Sequence, residues 1–253
     1  PDYVANQRSA FGLPGHVHTN IDKVPVYHLI ASGADIEEAQ YTRYDSSDNR
    51  YRWLVTFVHD GHVHDHCGLR LRSSHRYNWP KRPWKVRFNR GNLFDGKLND
   101  GTEYPRKRRK VHFMSAQHDP DKPRGESGVF ESLGWKLFRE AGVIGATTTF
   151  VHLRFVRSME EHDQFLGDFF GIFLETQAID SVALDDLGRP TDQQSSLYKF
   201  AGGPVKKHPD CNASMADVEA FLAGYKRGQT REWYEANLDV PRYLSFRSIV
   251  ELS

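Results

Sequence analysis

The sequence predicts an α+β fold, in which a mainly antiparallel sheet with one packed helix precedes a helical segment. Three observations support this. Strand-like residues 51–59 and 62–71 surround Asp60-Gly61, a dipeptide typical of two-residue type I′ hairpin turns. Residues 84–88 alternate apolar and basic side chains, as a strand with one buried face does. Near the end of the chain, apolar residues recur instead at helical spacing.

The remaining strands follow from local composition. A first strand begins near Val24, and residues 111–114 form a short apolar run between long polar loops. Segments rich in β-branched or aromatic residues predict three more strands, at 147–156, 169–176 and 197–200.

Helices are predicted where start and stop signals flank apolar residues at helical spacing. Ser127 can cap a helix that ends near Gly142. Later, Ser214-x-x-Asp217 resembles a capping box, and Thr230 can cap a second helix. Asp239 with Pro241 can start a third helix. We expect three segments: an extended leader or tag remnant at 1–23, a sheet-rich part at 24–203, and a helical segment at 204–253 that begins but does not complete a further lobe.

Composition excludes several classes of protein. The 253 residues, 38% hydrophobic and 26% charged, are enough to bury one large or two small cores, which excludes a disordered chain. The 34 Lys and Arg residues nearly balance the 33 Asp and Glu residues, so no global charge drives binding to nucleic acid or anionic membranes. No apolar run approaches the roughly 18 residues of a membrane helix. Cys67 and Cys211 are compatible with one disulfide or two thiols.

The densest group of cations lies in residues 70–85, where one strand ends and the next begins. It consists of Arg70, Arg72, Arg76, Arg82, Lys81 and Lys85. Arg can bind phosphate oxygens in a bidentate manner while Lys acts as a point charge, so the cluster suits a polyphosphate such as a nucleotide. The alternative is a solvated basic edge without a ligand.

Two carboxylates of the first long helix are candidates to pair with these cations. In a kinase-like arrangement, a helix glutamate pairs with a strand lysine that contacts phosphates. Glu131 is nearer the helix start than Glu140 and is the better placed. Alternatively, Glu131 only complements the helix dipole.

Histidines crowd the first hairpin. His62, His64 and His66 follow each other at a spacing of two, which predicts one strand face and a possible site for zinc or copper. Adjacent residues on one face spread along the sheet and do not converge readily on one ion, so an exposed hairpin face is the favoured interpretation.

A second basic run, at residues 105–111, is typical of a nuclear-import peptide or a nucleic-acid patch. The balanced net charge and the lack of aromatic residues within the run argue against nucleic-acid binding. The sequence has no dinucleotide-binding glycine fingerprint, phosphate-binding P-loop or serine-hydrolase elbow.

A series of short motifs also runs through the chain in a particular order. They are Gly68-Leu69-Arg70-Leu71-Arg72-Ser73, Ser74, Pro80-Lys81, residues 84–88, residues 133–142, Gly171-Ile172-Phe173-Leu174, Ile179-Asp180, Leu197-Tyr198-Lys199 and residues 239–244. Their joint order resembles the CotH family, the spore-coat-protein-H-like atypical protein kinases, over about residues 24–253.

The resemblance implies a fold, a site and an activity. The fold would be atypical protein-kinase-like, with residues 24–203 as the nucleotide-binding lobe. Arg72, Lys81 and Lys85 would hold the phosphates of ATP, Glu131 would orient one of the lysines, and Gln177 would lie near the adenine. Which lysine is the principal phosphate ligand stays open. The activity would be phosphorylation of Ser or Thr on a secreted or surface protein, dependent on ATP and Mg²⁺, at an extracellular, cell-surface or spore-coat location.

Three departures from the family pattern bear on that activity. Ser73 stands where the family usually has Gly, and Gln177 stands where it has Glu. The family's catalytic His-Asp, metal-binding Asn and Trp-Asp-x-Asp motifs would follow Ser253. Because phosphoryl transfer depends on such groups, the chain as given is expected to be inactive by itself. The alternative function is a non-catalytic surface or coat interaction module.

Overall fold

A computed structural model describes residues 24–41, 50–72, 81–115, 128–157, 169–186, 188, 196–200, 204–208 and 214–242. The strands are β1 (Val26–Ile30), β2 (Trp53–His59), β3 (His62–Leu71), β4 (Trp84–Arg87), β5 (Lys110–Met114), β6 (Thr148–Val156), β7 (Phe169–Gln177), β8 (Leu197–Phe200) and β9 (Pro204–His208). The helices are α1 (Gly33–Tyr41), α2 (Val129–Glu140), α3 (Ser181–Asp186), α4 (Ala216–Gly224) and α5 (Arg231–Asn237). None of these helices is long and apolar enough to cross a membrane.

Seven strands form a closed barrel in the order β1-β2-β3-β4-β5-β7-β6. All neighbouring pairs are antiparallel except β1 and β6, whose parallel pairing aligns Val26 with His152 and closes the barrel. Strands β8 and β9 form a separate antiparallel pair.

The prediction of an α+β, kinase-like sheet lobe is therefore wrong: the sheet closes on itself into a mixed barrel. Its closure depends on the β1–β6 pairing between distant segments, which local periodicity does not report. α2 forms where a helix was predicted. None of its residues is buried, and Val129, Phe130, Leu133 and Leu137 are exposed.

Several local predictions are confirmed. The hairpin between β2 and β3 turns at Asp60 and Gly61 with positive φ angles of 45° and 77°, as a type I′ turn requires. The side chain of Thr230 accepts a hydrogen bond from the backbone of Trp233 and caps α5. The helix predicted from Asp239 begins at residue 240, but residues 243–253 lie outside the described part.

The chain divides into two compact units. The first contains residues 1–132 and 148–177, and therefore the whole barrel. The second contains residues 133–147 and 178–253. In the second unit, Trp233 of α5 stacks against Phe221 of α4. The predicted leader, residues 1–23, lies outside the described residues, and the expected boundary at 203/204 stays a prediction.

Aromatic side chains fill the barrel. Phe57 is fully buried and contacts the rings of Tyr27, Phe88, Phe94 and Phe113. Phe94 comes from the long segment between β4 and β5, which folds back through hydrogen bonds between Phe94 and Arg108. This segment brings polar residues to the end of the barrel where β2 and β3 meet.

Candidate functional site

Two of the residues that the resemblance assigns to phosphate binding lie near one end of the barrel. Arg72 follows β3, and its guanidinium contacts Sδ of Met114 at the end of β5. Lys81 precedes β4, donates a hydrogen bond to the carbonyl of Ile172 on β7, and lies 4.5 Å from the centre of the Phe173 ring. Because Met114 pairs with Leu174, both cations adjoin the same stretch of β7. Burial lowers the pKa of Lys81 to about 8.

Lys85 lies in a row of polar side chains across four strands. Its neighbours Trp84 and Val86 are buried in the core, so Lys85 faces outward. In register it lies opposite Arg70 on β3 and His112 on β5, and His112 in turn lies opposite Thr176 on β7. The row places these side chains on one outer face of the barrel.

The pKa of His112 reflects the positive charge of this face. Burial lowers its pKa to about 2, and the next largest causes are four nearby positive charges. They belong, in decreasing order of effect, to Arg72, Lys85, Arg70 and Lys110. Arg72, which follows β3, and Lys85, on β4, therefore both lie close enough to lower the pKa of the same imidazole. We refer to Arg70, Arg72, Lys85, Lys110 and His112 as the cationic face.

Glu131 and Gln177 belong to α2 and to the end of β7. Glu131 is half-buried in the first turn of α2, and the next residue, Ser132, hydrogen-bonds to Thr148, whose strand partner is Thr176. Within the described ranges, Glu131 forms no ion pair with either lysine. Gln177 is buried at the end of β7, opposite Val111. Their assigned roles stay predictions, and Ser73 and Arg76 lie outside the described residues.

The hairpin histidines do not form one face. Residues 65 and 66 both lie opposite Thr56, because a β-bulge interrupts the pairing of β2 with β3, and His66 has a positive φ of 54°. His66 is exposed as a result, while His64 is buried. Cys67, just after the bulge, is a buried free thiol that donates to the carbonyl of His64.

Sequence reasoning missed a cluster of His59, His64 and Asp95. Nε2 of His59 lies 3.0 Å from Nε2 of His64 and 3.5 Å from Oδ1 of Asp95. The register explains the first distance: Phe57 lies opposite His64, so His59 is its diagonal neighbour. Asp95 belongs to the folded-back segment, whose path no local pattern predicts. The only sequence signal was the density of histidines in the hairpin.

Burial and neighbouring charges control the protonation of this cluster. Burial, followed by the proximity of His64, lowers the pKa of His59 to about 4. Burial also lowers the pKa of His64. For Asp95 burial acts to raise the pKa, but the hydrogen bond and charge of Lys107 outweigh it, so the pKa is below its usual value. At neutral pH the cluster thus consists of two neutral imidazoles and one carboxylate.

A second polar group lies inside the barrel. Glu175 is fully buried and accepts hydrogen bonds from the hydroxyls of Tyr27 and Tyr104, at 3.1 and 2.9 Å. Nη1 of Arg108 lies 3.5 Å from the same carboxylate, and its guanidinium stacks 3.5 Å from the Tyr104 ring centre. Arg108 belongs to the basic run at 105–111, so this run is not a uniformly exposed cationic patch.

In comparisons with known proteins, the chain matches no family model and no curated protein. Any function assigned to the chain therefore depends on its own residues and on the order of its motifs.

Proposed function

We propose that the cationic face binds the phosphates of ATP, and that the chain is the ATP-binding part of a CotH-like Ser/Thr protein kinase. The observation that carries the proposal is the strand register, in which Lys85 lies opposite both Arg70 and His112. The charges of Arg72 and Lys110 also lower the pKa of His112. Two of these residues, Arg72 and Lys85, are among those that the family resemblance assigns to phosphate binding.

Strand pairing places like charges opposite one another on this face. Arg70 lies directly opposite Lys85, and Arg87 lies directly opposite Lys110. Like charges at directly opposite positions of an antiparallel pair destabilise it. A bound polyphosphate would bring negative charge beside both pairs, and it would supply oxygens for the bidentate contacts that Arg makes well.

Lys81 fits the same ligand. Its position over β7 is partly buried, and its pKa of about 8 makes its charge sensitive to a neighbouring anion. A phosphate within reach would favour the protonated form. Lys81 lies three residues before Trp84, the first residue of β4, and Lys85 directly follows it.

The remaining parts of the proposal come from the resemblance. Mg²⁺ would bridge phosphate oxygens, and the γ-phosphoryl group would pass to a Ser or Thr hydroxyl of a protein acceptor. The acceptor would be a secreted, cell-surface or spore-coat protein. A non-catalytic surface or coat interaction module is the alternative outcome of the experiment.

The experiment measures the binding of ATP in the presence of Mg²⁺ by two methods, isothermal titration calorimetry and thermal unfolding. A ligand that binds only the native state raises stability by RT ln(1 + [L]/Kd). We expect stabilisation by ATP and none by adenosine, which has no phosphate. Arg72→Ala and Lys85→Ala should each weaken binding by about tenfold or more, because hydrogen bonds to charged groups contribute about 1.5–3 kcal/mol.

Arg90→Ala is the matched control. Arg90 is an exposed arginine just beyond β4 and outside the cationic face, so its removal should leave the affinity unchanged. Equal loss in all three variants would indicate a general charge effect, and absence of any ATP effect would exclude the proposal in favour of the interaction module. Transfer of labelled phosphate to a protein acceptor tests the kinase activity separately.

A further inference from the structure

We propose that His59, His64 and Asp95 bind one divalent transition-metal ion of the zinc class at the end of the barrel. This site is separate from the cationic face and does not depend on the proposed ATP binding. Each of the three residues offers one ligand atom, and these atoms all lie within 4.8 Å of one another.

The distances are close to those of a coordination sphere. Zn–N bonds of about 2.0–2.1 Å in tetrahedral geometry place two ligand nitrogens roughly 3.3 Å apart. Nε2 of His59 and Nε2 of His64 are 3.0 Å apart, and Oδ1 of Asp95 is 3.5 Å from the former. The remaining distance, between Oδ1 of Asp95 and the ligand nitrogen of His64, is within 4.8 Å.

The backbone selects the right tautomer of His64. Nδ1 of His64 lies 3.3 Å from the carbonyl oxygen of Asn92, which can only accept a hydrogen bond. Nδ1 therefore carries the hydrogen, and the lone pair of Nε2 faces His59. Metal-binding histidines are commonly oriented by such a bond from the second ring nitrogen.

The contact between the two imidazoles is then compatible with two tautomers of His59. Without a metal, Nε2 of His59 must carry a hydrogen and donate it to Nε2 of His64. With a metal, this hydrogen moves to Nδ1 of His59, and the ion occupies the space between the two lone pairs. The exchange changes the tautomer of His59 but releases no proton from the neutral ring.

Asp95 provides the independent observation that points to a cation. Its Oδ1 atom is fully buried and accepts no hydrogen bond from the described residues, although it lies 3.5 Å from His59 and 3.4 Å from His62. Burying an ionised oxygen without a hydrogen bond is costly. The other oxygen, Oδ2, is held by Lys107 at 3.2 Å, which orients Oδ1 toward the histidines.

The site is accessible and incompletely coordinated by protein. His59 and Asp95 line a cavity of about 330 Å³ that Tyr27, Lys97 and Asn99 also border. Three protein ligands with a fourth position left for water are typical of catalytic zinc, whereas structural zinc usually has four. Two imidazole ligands favour zinc and its neighbours over Mg²⁺ and Ca²⁺, which prefer all-oxygen sites.

The test is a calorimetric titration of the chelator-treated protein with Zn²⁺ alone. We expect one equivalent to bind, and Asp95→Asn and His64→Asn should each weaken binding at least tenfold. His66→Asn is the control, because His66 is an exposed histidine of the same hairpin and Asn tolerates its positive φ. This variant should bind Zn²⁺ like the original chain.

The alternative results overturn the proposal. If Asp95→Asn binds as tightly as the original chain, or if His66→Asn loses binding, the ion binds surface histidines and not this cluster. If no stoichiometric Zn²⁺ binds, the cluster is a buried hydrogen-bonded pair only. Asp95 is only partly buried, so Asp95→Asn should fold. The test therefore stays decisive even if His64→Asn fails to fold. Loss of Zn²⁺ binding in Asp95→Asn should leave ATP affinity unchanged, which separates this site from the cationic face.

Discussion

The hydroxyl of Tyr104 donates a hydrogen bond of 2.9 Å to Oε1 of Glu175, across 71 positions of the chain. It ties the segment between β4 and β5 to the inside of β7. Tyr27 of β1 holds the other oxygen of the same carboxylate. The Glu175 carboxylate therefore links three parts of the chain: β1, the segment between β4 and β5, and β7.

Stability should fall with rising pH because of Glu175. Burial raises its pKa from 4.5 to about 7, although Arg108 and the tyrosines oppose this. The folded state therefore holds the proton more tightly than the unfolded state. The stabilising contribution is complete below pH 4.5 and is lost as pH rises through about 7.

Glu175→Gln isolates this effect. The free energy of unfolding of both proteins is measured with denaturant between pH 4.5 and 8. As pH rises, the original chain should lose stability relative to the variant. The histidines titrate in both proteins, so they cancel in the difference. A difference independent of pH would mean that Glu175 is ionised throughout.

His112 should make the protein sensitive to acid. Burial and the surrounding cations lower its pKa from 6.5 to about 2, so the unfolded state takes up a proton that the folded state does not. The contribution of neutral His112 is complete above pH 6.5 and is lost progressively as pH falls toward 2. In His112→Gln, the loss of stability between pH 6.5 and 4 should be smaller than in the original chain. Identical acid denaturation curves would contradict this.

His66 should tolerate only residues that accept a left-handed backbone. Its φ of 54° lies in the bulge between β2 and β3. A β-branched residue there should cost about 1–2 kcal/mol, because the left-handed conformation forces Cβ against the following carbonyl oxygen. Chemical denaturation should therefore show His66→Val to be less stable than the original chain, and His66→Asn to be nearly unchanged. Equal stability of the two variants would mean that the bulge does not restrict this position.

Phe94 should be essential for stability although it comes from a long connecting segment. It is fully buried and contacts Phe57, Phe88 and His59. Phe94→Ala should destabilise the protein by about 3–5 kcal/mol, as a large-to-small change in a packed core does. Leu54→Ala is the control, since Leu54 is 61% exposed on a barrel strand and its removal should have little effect. If Phe94→Ala lowers the free energy of unfolding as little as Leu54→Ala does, the segment between β4 and β5 is not part of the cooperative core.

Local patterns predicted the elements of this molecule better than their assembly. The turn at Asp60-Gly61 and the cap at Thr230 depend on residues adjacent in sequence, and both form as predicted. The parallel pairing of Val26 with His152 closes the barrel through residues far apart in the chain. No periodicity encodes which strands meet, so the kinase-like fold prediction failed at this step.

The candidate sites show the same division. The positions of Arg72 and Lys85 beside His112 follow from strands that were predicted. The approach of Asp95 to His59 requires the tertiary path of the segment between β4 and β5. The bulge beside His66 changed which histidines share a side of the strand, and one inserted residue of this kind has no clear sequence signature.

The closing pair of the barrel also governs the order in which the chain can fold. The β2–β3 hairpin needs only a two-residue turn, whereas β1 must wait for β6, whose paired residues lie more than a hundred positions later. Long-range pairings of this kind slow folding, because the entropy of closing the loop is lost before the contacts form. During synthesis, β1 therefore emerges with one edge unoccupied until β6 arrives, and for that interval the nascent chain has a strand edge open to misassociation.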